Sequence, residues 1–527
     1  MISTITHFHN RIWSDIESRL IPRSEETSLQ FSDALPLLME FPIGIAVSCV
    51  QTINKVLSCI PHVFRSSLFN PKEDFLHVVQ DARGWEKLGD VESKIAIGKG
   101  NPNFLFGAAT CTYQDSGSFH CPNSQWVYWE KNLAEHNRSG KSADLFEYYK
   151  TEQGRKKITD ALHELGVNSY RFSIEWSHIE PQEGIWNDAI LQVYLDLCLH
   201  LRNEKITPMI TLHHFSEPLW FHEKGSFEKE ENHEAFVHFS EKIFLLFTKY
   251  YRGRPLVEYF CTINEPAIDS FSRFVRGSFS PGIVLNFKRA AQFLRGALKA
   301  HALAYKKLKQ HSPESVKIGI VHQYLRFIPS NPLLFPVTHY LNRLVNEVAL
   351  DFFRTGTFTF AMPFVHVSGS MPNPKTDFCG LQYYTRPYIG ILGSTTPYAP
   401  MTQMPFREDP EGIFEASIQV YKSFKVPIIV TENGISTNDE DQRCRYLTRS
   451  LYALYKSTVE IGTDNLLGFY LWSFSDNFEW DMGMKPQAFG AFTIDNQLKE
   501  GARIYTRVIR AWKRTLQISG NSALSDE

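Results

Sequence analysis

Hydrophobic positions between residue 101 and the C-terminus follow two alternating patterns. Short, nearly continuous apolar runs are typical of strands in a parallel sheet that is covered on both faces. Longer segments with apolar residues every three or four positions lie between them and predict helices. The strand candidates are Phe104–Thr110, Ser169–Ile174, Thr207–His214, Glu258–Glu265, Val316–Gln323, Asp377–Tyr384, Pro427–Gly434 and Leu466–Phe474. The helical candidates include Gln153–Leu165, Glu234–Tyr250, Phe287–Lys309 and Arg443–Ile461.

Eight strand-then-helix units predict an α/β fold, a (β/α)8 TIM barrel, over residues 101–515. A doubly wound parallel sheet produces similar local patterns and is the alternative fold. Residues 516–527 are expected to form a flexible tail.

Residues 1–100 have a different character and are expected to form an extra N-terminal, mainly helical arm. Their apolar stretch, residues 35–60, is too interrupted for a spanning helix, which needs about 20 nearly continuous apolar residues. From Ile43 onward its apolar positions recur as in an amphipathic helix. The arm is therefore expected to pack on the main domain, or to bind a membrane surface or a protein partner.

Charge and cysteine content exclude some classes of function. The chain has 55 Lys and Arg against 57 Asp and Glu, a formal net charge of −2, which gives no electrostatic reason to expect a nucleic-acid partner. Its eight cysteines form no CxxC pair, so no zinc site is indicated, and neither a metal nor another cofactor is expected. The first residues lack the features of a secretory signal, which predicts a cytoplasmic protein, peripheral to a membrane if the arm binds lipid.

Two glutamates stand at the ends of separate predicted strands. The fourth strand ends in TINEP, with Asn264 and Glu265, and the seventh ends in TENG, with Glu432. In such barrels the chemistry lies at the carboxyl ends of the strands, so both carboxyl groups would face the same mouth. One carboxyl group that protonates a leaving oxygen and a second that attacks the anomeric carbon or activates water would cleave a glycosidic bond.

Seven motifs carry a resemblance to a known family. They are FGAATCTYQ (106–114), YRFSIEWS (170–177), TLHHF (211–215), TINEP (262–266), LQYYT (381–385), VTENG (430–434) and LWSFSDNFEW (471–480). In this order they resemble those of family 1 glycoside hydrolases, the β-glucosidase, β-galactosidase and 6-phospho-β-glycosidase family. The resemblance spans about residues 103–515 and implies a retaining β-glycosidase that acts on a small-molecule β-glycoside.

The resemblance also implies roles for the catalytic groups. Glu265 would be the acid/base and Glu432 the nucleophile, hydrogen-bonded by Tyr384. Arg171 would support Glu432 by lowering its pKa, while the charge of Glu432 raises the pKa of Glu265.

Six further side chains are implied as sugar-binding groups. These are Gln114 and His214 for the 3- and 4-hydroxyls, Asn264 for the 2-hydroxyl, Trp472 under the ring, Glu479 for the 4- and 6-hydroxyls and Trp480 for the 3-hydroxyl. A carboxylate at Glu479 would repel a 6-phosphate, which favours an unphosphorylated glucoside, galactoside or fucoside. Lys485 could instead attract an anion to this region.

Several positions depart from the family pattern, and two other functions stay open. The departures are Ser116, Phe215, Ser216, His178, Gln382 and the stretch 481–489. Gln382 lies beside the partner of the nucleophile, where it could alter the geometry. The first alternative function is a transglycosylase that passes the sugar to an alcohol or a glycolipid. The second is a sugar-binding protein without activity, although both glutamates are present.

Overall fold

Eight parallel strands close into a barrel in the computed structural model, which describes residues 101–330, 332–390, 393–394, 399–484 and 487–523. The strands are β1 (Leu105–Ala109), β2 (Ser169–Ser173), β3 (Thr207–His213), β4 (Tyr259–Ile263), β5 (Lys317–Gln323), β6 (Phe378–Gln382), β7 (Ile428–Asn433) and β8 (Leu466–Trp472). Each pairs with its neighbours in sequence, and β1 also pairs with β8.

One main helix follows each strand on the outside of the barrel. These helices are α1 (Glu152–Leu165), α2 (Asp188–Asn203), α3 (His233–Phe247), α4 (Phe287–Lys309), α5 (Val348–Thr355), α6 (Gly412–Phe424), α7 (Glu440–Ile461) and α8 (Arg503–Ala523). The (β/α)8 prediction is confirmed. The doubly wound alternative is wrong, because Leu105 to Ala109 of β1 pair in register with Gly468 to Trp472 of β8 and leave no open edge.

The three predicted segments of the chain are described to different extents. The expected N-terminal arm, including residues 35–60, lies outside the described residues. The chain is helical as far as Ala523, whereas the sequence analysis places the start of a flexible tail at residue 516. No helix in the described ranges combines the length and the apolar character that crossing a bilayer requires.

Shorter elements lie in the connections between the strands and the main helices. They are the helices Thr112–His120, Gln125–Trp129, Leu145–Lys150, Trp176–Ile179, Leu219–Glu223, Pro266–Phe274 and Phe335–Asn342, and the antiparallel pair Thr357–Met362 and Val365–Ser370. The helix after β4 begins directly after Glu265, which occupies its N-cap position.

Apolar residues fill two layers, one between the strands and the outer helices and one inside the barrel. The inner layer depends on small residues opposite large ones. A Cβ atom on Gly107 of β1 would lie 2.1 Å from Cδ1 of Tyr470 on β8. A Cβ atom on Gly319 of β5 would lie 2.5 Å from the ring of Phe378 on β6. These glycines let aromatic rings occupy the interior at the density of a protein core.

A tyrosine of the last helix joins the first and last strands. The buried hydroxyl of Tyr505 accepts a hydrogen bond from the backbone N–H of Gly107 at 3.0 Å. It donates to the carbonyl oxygen of Phe469 on β8 at 2.7 Å. The closure of the barrel is therefore held by α8 as well as by strand pairing.

We expect Tyr505→Phe to lower the free energy of unfolding by about 1–3 kcal/mol, because it leaves two buried backbone groups with one partner fewer. Urea unfolding followed by circular dichroism measures this change. The matched control is Tyr250→Phe at a side chain that is 69% exposed, where the change should stay within about 0.5 kcal/mol. Equal effects at the two positions would contradict a role for Tyr505 in closing the barrel.

Candidate active site

The two predicted catalytic glutamates both lie at the mouth of the barrel. Glu432 is the penultimate residue of β7. Glu265 follows β4 by two residues, caps the helix Pro266–Phe274 and has a left-handed backbone with φ of 43°. Both side chains are buried. Such backbone geometry is uncommon for a residue other than glycine and is concentrated at functional sites.

The carboxylate of Glu432 is held from three directions. Nη1 of Arg171, on β2, lies 2.5 Å from Oε1. The hydroxyl of Tyr384 donates to Oε2 at 2.7 Å. Nε2 of His214 lies 3.9 Å from Oε1. The cation of Arg171 and the hydroxyl donor of Tyr384, both within hydrogen-bond distance, favour the ionised form of the carboxyl group.

Arg171 connects Glu432 to the neighbouring strands. Its Nε donates to the hydroxyl of Thr211 on β3 at 3.0 Å, and its Nη2 donates to Oδ1 of Asn264 at 2.7 Å. The side chain is fully buried. Burial acts to lower the pKa of Arg171, but the charge of Glu432 outweighs it and the pKa is raised. The guanidinium is therefore a permanent charge inside the barrel.

Glu265 lies in a different environment. Burial raises its pKa well above the usual range, and the negative charge of Glu432 raises it further. Its Oε1 has no hydrogen-bond partner among the described residues. Burial also raises the pKa of Glu432, but Arg171 and the Tyr384 hydroxyl act against that shift. Because only Glu432 contacts a cation, it loses its proton first and Glu265 keeps its own.

Gln114 and Glu479 meet on one side of the site. Nε2 of Gln114 donates to Oε2 of Glu479 at 3.1 Å and to the carbonyl oxygen of Phe478 at 2.9 Å. Burial, with the charges of Asp481 and Glu432, raises the pKa of Glu479 from 4.5 to about 8. Glu479 is therefore largely neutral at pH 7, so the expected repulsion of a phosphate by its charge acts only at higher pH.

Aromatic rings form a packed wall. Trp480, with φ of 46°, stacks on Tyr113 with the ring centroids 6.1 Å apart, and its ring lies 4.7 Å from that of Trp126. The rings of Trp472 and His214 are 5.9 Å apart. An aromatic surface of this kind suits the apolar face of a sugar ring.

Four of the predicted site residues carry a buried polar atom that has no partner in the described protein. These atoms are Oε1 of Gln114, Nδ1 of His214, Nδ2 of Asn264 and Oε1 of Glu265. Buried polar atoms in folded proteins are nearly always hydrogen-bonded, so a cluster of exceptions needs an explanation. A ligand with several hydroxyl groups would supply the missing partners.

The structure brings together all ten of the residues named from the sequence.

A charged network beneath Glu265 was not found by sequence reasoning. Arg273, on the helix that begins after Glu265, donates to Asp269 at 2.6 Å and to Glu217 at 2.7 Å. Glu217, in the loop after β3, also accepts from Ser226 at 2.7 Å. The network ties this helix to the β3 loop. The spacing of Asp269 and Arg273 on one helical face was a local signal, but Glu217 gave none.

Two departures from the family pattern lie next to the wall. The ring of Phe215 packs against Trp480 at 5.3 Å, and its carbonyl oxygen accepts from Nε1 of Trp126 at 3.0 Å. The hydroxyl of Ser216 donates to Glu175 at 2.8 Å. Both residues thus support the site from behind. Lys485, proposed from the sequence as an anion contact, lies outside the described residues.

Comparison with known proteins agrees with the geometry. Residues 100–385 and 382–515 match the model of glycosyl hydrolase family 1. The chain is 26% identical over 459 residues to a 6-phospho-β-galactosidase of Streptococcus mutans, which covers 76% of this chain and 94% of the relative. A β-glycosidase from Pyrococcus horikoshii superposes with a TM-score of 0.66 at 30% identity, over 78% of this chain and 95% of that chain. A β-glucosidase from Thermotoga maritima in complex with glucoimidazole has a TM-score of 0.68 at 24% identity, over 79% and 100% of the two chains, and at this identity it shows a shared fold.

The raised pKa of Glu479 predicts a dependence of stability on pH. Between pH 4.5 and about 8 the folded protein holds a proton at Glu479 that the unfolded chain releases, so the free energy of unfolding falls as pH rises through this window. This contribution amounts to about 1.4 kcal/mol per pH unit inside the window. Glu479→Gln removes it, and the variant should lose less stability than the wild type between about pH 5.5 and about pH 7.5.

Urea unfolding at the two pH values measures the difference. Glu314→Gln, at an exposed carboxyl group, is the control and should follow the wild-type dependence. If Glu479→Gln also follows it, Glu479 is ionised at neutral pH and our account of this residue is wrong.

Proposed function

The chain belongs to glycosyl hydrolase family 1 and is a β-glycosidase, and we propose that it hydrolyses unphosphorylated β-glycosides with retention of configuration. Glu432 is the nucleophile and Glu265 is the acid/base. This assignment rests on a difference between the hydrogen-bond partners of the two buried carboxyl groups. Glu432 is paired with Arg171 at 2.5 Å, whereas Oε1 of Glu265 has no partner among the described residues.

The first step breaks the glycosidic bond. The carboxylate of Glu432 attacks the anomeric carbon, and the bond to the leaving oxygen breaks as that oxygen takes the proton of Glu265. The products are a glycosyl ester on Glu432, the free alcohol and an ionised Glu265. The ion pair with Arg171 and the hydrogen bond from Tyr384 support this step, since they hold Glu432 ionised and oriented.

The second step releases the sugar with the roles reversed. Once Glu432 is an ester it carries no negative charge, so the charge that raised the pKa of Glu265 is gone. Glu265 then accepts a proton from water as the water oxygen attacks the anomeric carbon. The ester bond breaks, which regenerates the carboxylate of Glu432 and the protonated Glu265.

A neutral sugar fits the side chains around Glu479 better than a phosphorylated one. Glu479 and Asp481 are both acids, and the guanidinium of Arg276 is already paired with Asp481 at 2.9 Å. Glu479 and Gln114 offer hydrogen bonds that suit the hydroxyls of an unmodified sugar. The name of the Streptococcus mutans relative points to 6-phospho-β-galactosides as the second candidate substrate class.

The two glutamate roles predict different products when azide replaces the missing carboxylate. With an activated aryl β-glycoside, Glu432→Ala should lose about 10³-fold or more of kcat/KM. Azide should restore turnover by attacking from the face of the missing nucleophile, which yields the α-glycosyl azide. Glu265→Ala should still form the glycosyl ester, and azide then attacks from the opposite face to yield the β-glycosyl azide.

Proton NMR of the products assigns the anomeric configuration. Glu314→Ala, at an exposed carboxyl group, should retain wild-type kinetics and give no glycosyl azide. The roles would be reversed if the two variants gave the opposite anomers. The site assignment fails if both variants keep wild-type rates.

The substrate proposal predicts a preference between matched substrates. We expect kcat/KM for the better of 4-nitrophenyl β-glucoside and β-galactoside to exceed that of its 6-phosphate by about 100-fold or more, because a phosphate would lose its hydration beside Glu479 and Asp481, where the guanidinium of Arg276 is already paired. Release of nitrophenol measures both rates. A preference for the 6-phosphate would refute this proposal and favour a 6-phospho-β-glycosidase. The roles of the two glutamates are tested independently by the azide experiment.

A further inference from the structure

Gln382 occupies a central place at the mouth of the barrel that family resemblance leaves without a role. It is the last residue of β6, is fully buried, and pairs in register with Gln323 of β5 and Glu432 of β7. Its Nε2 donates a hydrogen bond of 2.8 Å to Oδ1 of Asn264. A side chain from one strand thus contacts the residue that is proposed to bind the 2-hydroxyl.

The side-chain carbonyl oxygen of Asn264 accepts two hydrogen bonds. Nη2 of Arg171 lies 2.7 Å from its Oδ1, and Nε2 of Gln382 lies 2.8 Å from the same atom. A carbonyl oxygen has two lone pairs, so both are occupied. Rotating the amide by half a turn would set its NH₂ group against two donors and leave no acceptor. The orientation of Asn264 is therefore determined by its neighbours.

This orientation leaves one group of Asn264 for a ligand. Its Nδ2 is buried and has no partner among the described residues. Arg171 also serves Glu432, so its position is set by the ion pair. Gln382 supplies the second contact that keeps the amide plane from turning about the bond to Arg171.

We propose that Gln382 is a positioning residue, which fixes the amide of Asn264 so that Nδ2 donates to the 2-hydroxyl of the sugar. The inference rests on the proposed function, in which the 2-hydroxyl contact strengthens in the transition state. Gln382 acts through Asn264 and needs no contact with the substrate. The role is specific to substrates that carry a 2-hydroxyl.

The test compares two substrates that differ only at that hydroxyl. Gln382→Met keeps the side-chain volume and removes the amide. For the preferred 4-nitrophenyl β-glycoside, kcat/KM should fall by about tenfold, as expected for one lost hydrogen-bond contact in a buried site. For the 2-deoxy counterpart it should change by less than about twofold, because the contact is absent there. Gln382→Leu provides a second variant if Gln382→Met does not fold.

A double-mutant cycle identifies the residue through which Gln382 acts. In an Asn264→Ala background, Gln382→Met should change kcat/KM by less than about twofold. Gln323→Met is the matched control, since Gln323 ends the neighbouring strand and makes no side-chain hydrogen bond to any residue that the structure describes. It should leave both substrates unaffected, and thermal unfolding should show that every variant is folded.

Gln382 also lowers the pKa of Glu432, which offers a competing explanation. If Gln382 acted through that charge, both substrates would slow equally and the acid limb of the kcat/KM profile would move to higher pH. Either that result or a full loss in the Asn264→Ala background overturns the inference. The proposed function fails separately, through the Glu432 and Glu265 variants, so the two failures are distinguishable.

Discussion

The ion pair between Arg171 and Glu432 is the constraint on which the rest of the site depends. A fully buried guanidinium loses its hydration, which is unfavourable by several kcal/mol unless close partners replace the water. Arg171 finds these partners on β3, on β7 and directly after β4, so the strands that shape the barrel also position the groups that replace its hydration. The reactive carboxylate is consequently held by the scaffold itself, and the mobile parts of a surface loop do not set its position.

Charge balance then limits what the other acids can do. Among the described residues that we place at the site, Arg171 is the permanent cation, and Glu265, Glu432 and Glu479 are the carboxyl groups. One buried cation compensates one carboxylate, so the two remaining acids favour their neutral forms. A site that is nearly neutral in total suits a ligand that carries no charge. The same balance provides the proton that departure of the alcohol requires.

The sequence predicted the barrel well because its signals are local. The ends of all eight strands lie within three residues of the predicted ends. Each strand is buried on both faces, so a continuous apolar run in the sequence marks its extent. That the candidate site residues meet at one rim was also predictable, because the strand ends of one sheet lie together and the motifs mark those ends. What it could not predict depends on distant partners. The shared hydrogen bonds of Asn264, the contact of Glu217 with Arg273 and the neutral state of Glu479 arise only from the folded arrangement.

The pairing of the first strand with the last has a consequence for biosynthesis. A ribosome delivers β1 before every other strand of the barrel, but its partner β8 and the Tyr505 hydroxyl emerge after all the others. Until then the nascent sheet keeps an unpaired edge of backbone N–H and C=O groups, the kind of edge that promotes aggregation. The edge of β1 is therefore protected only when the last strand of the barrel has paired with the first.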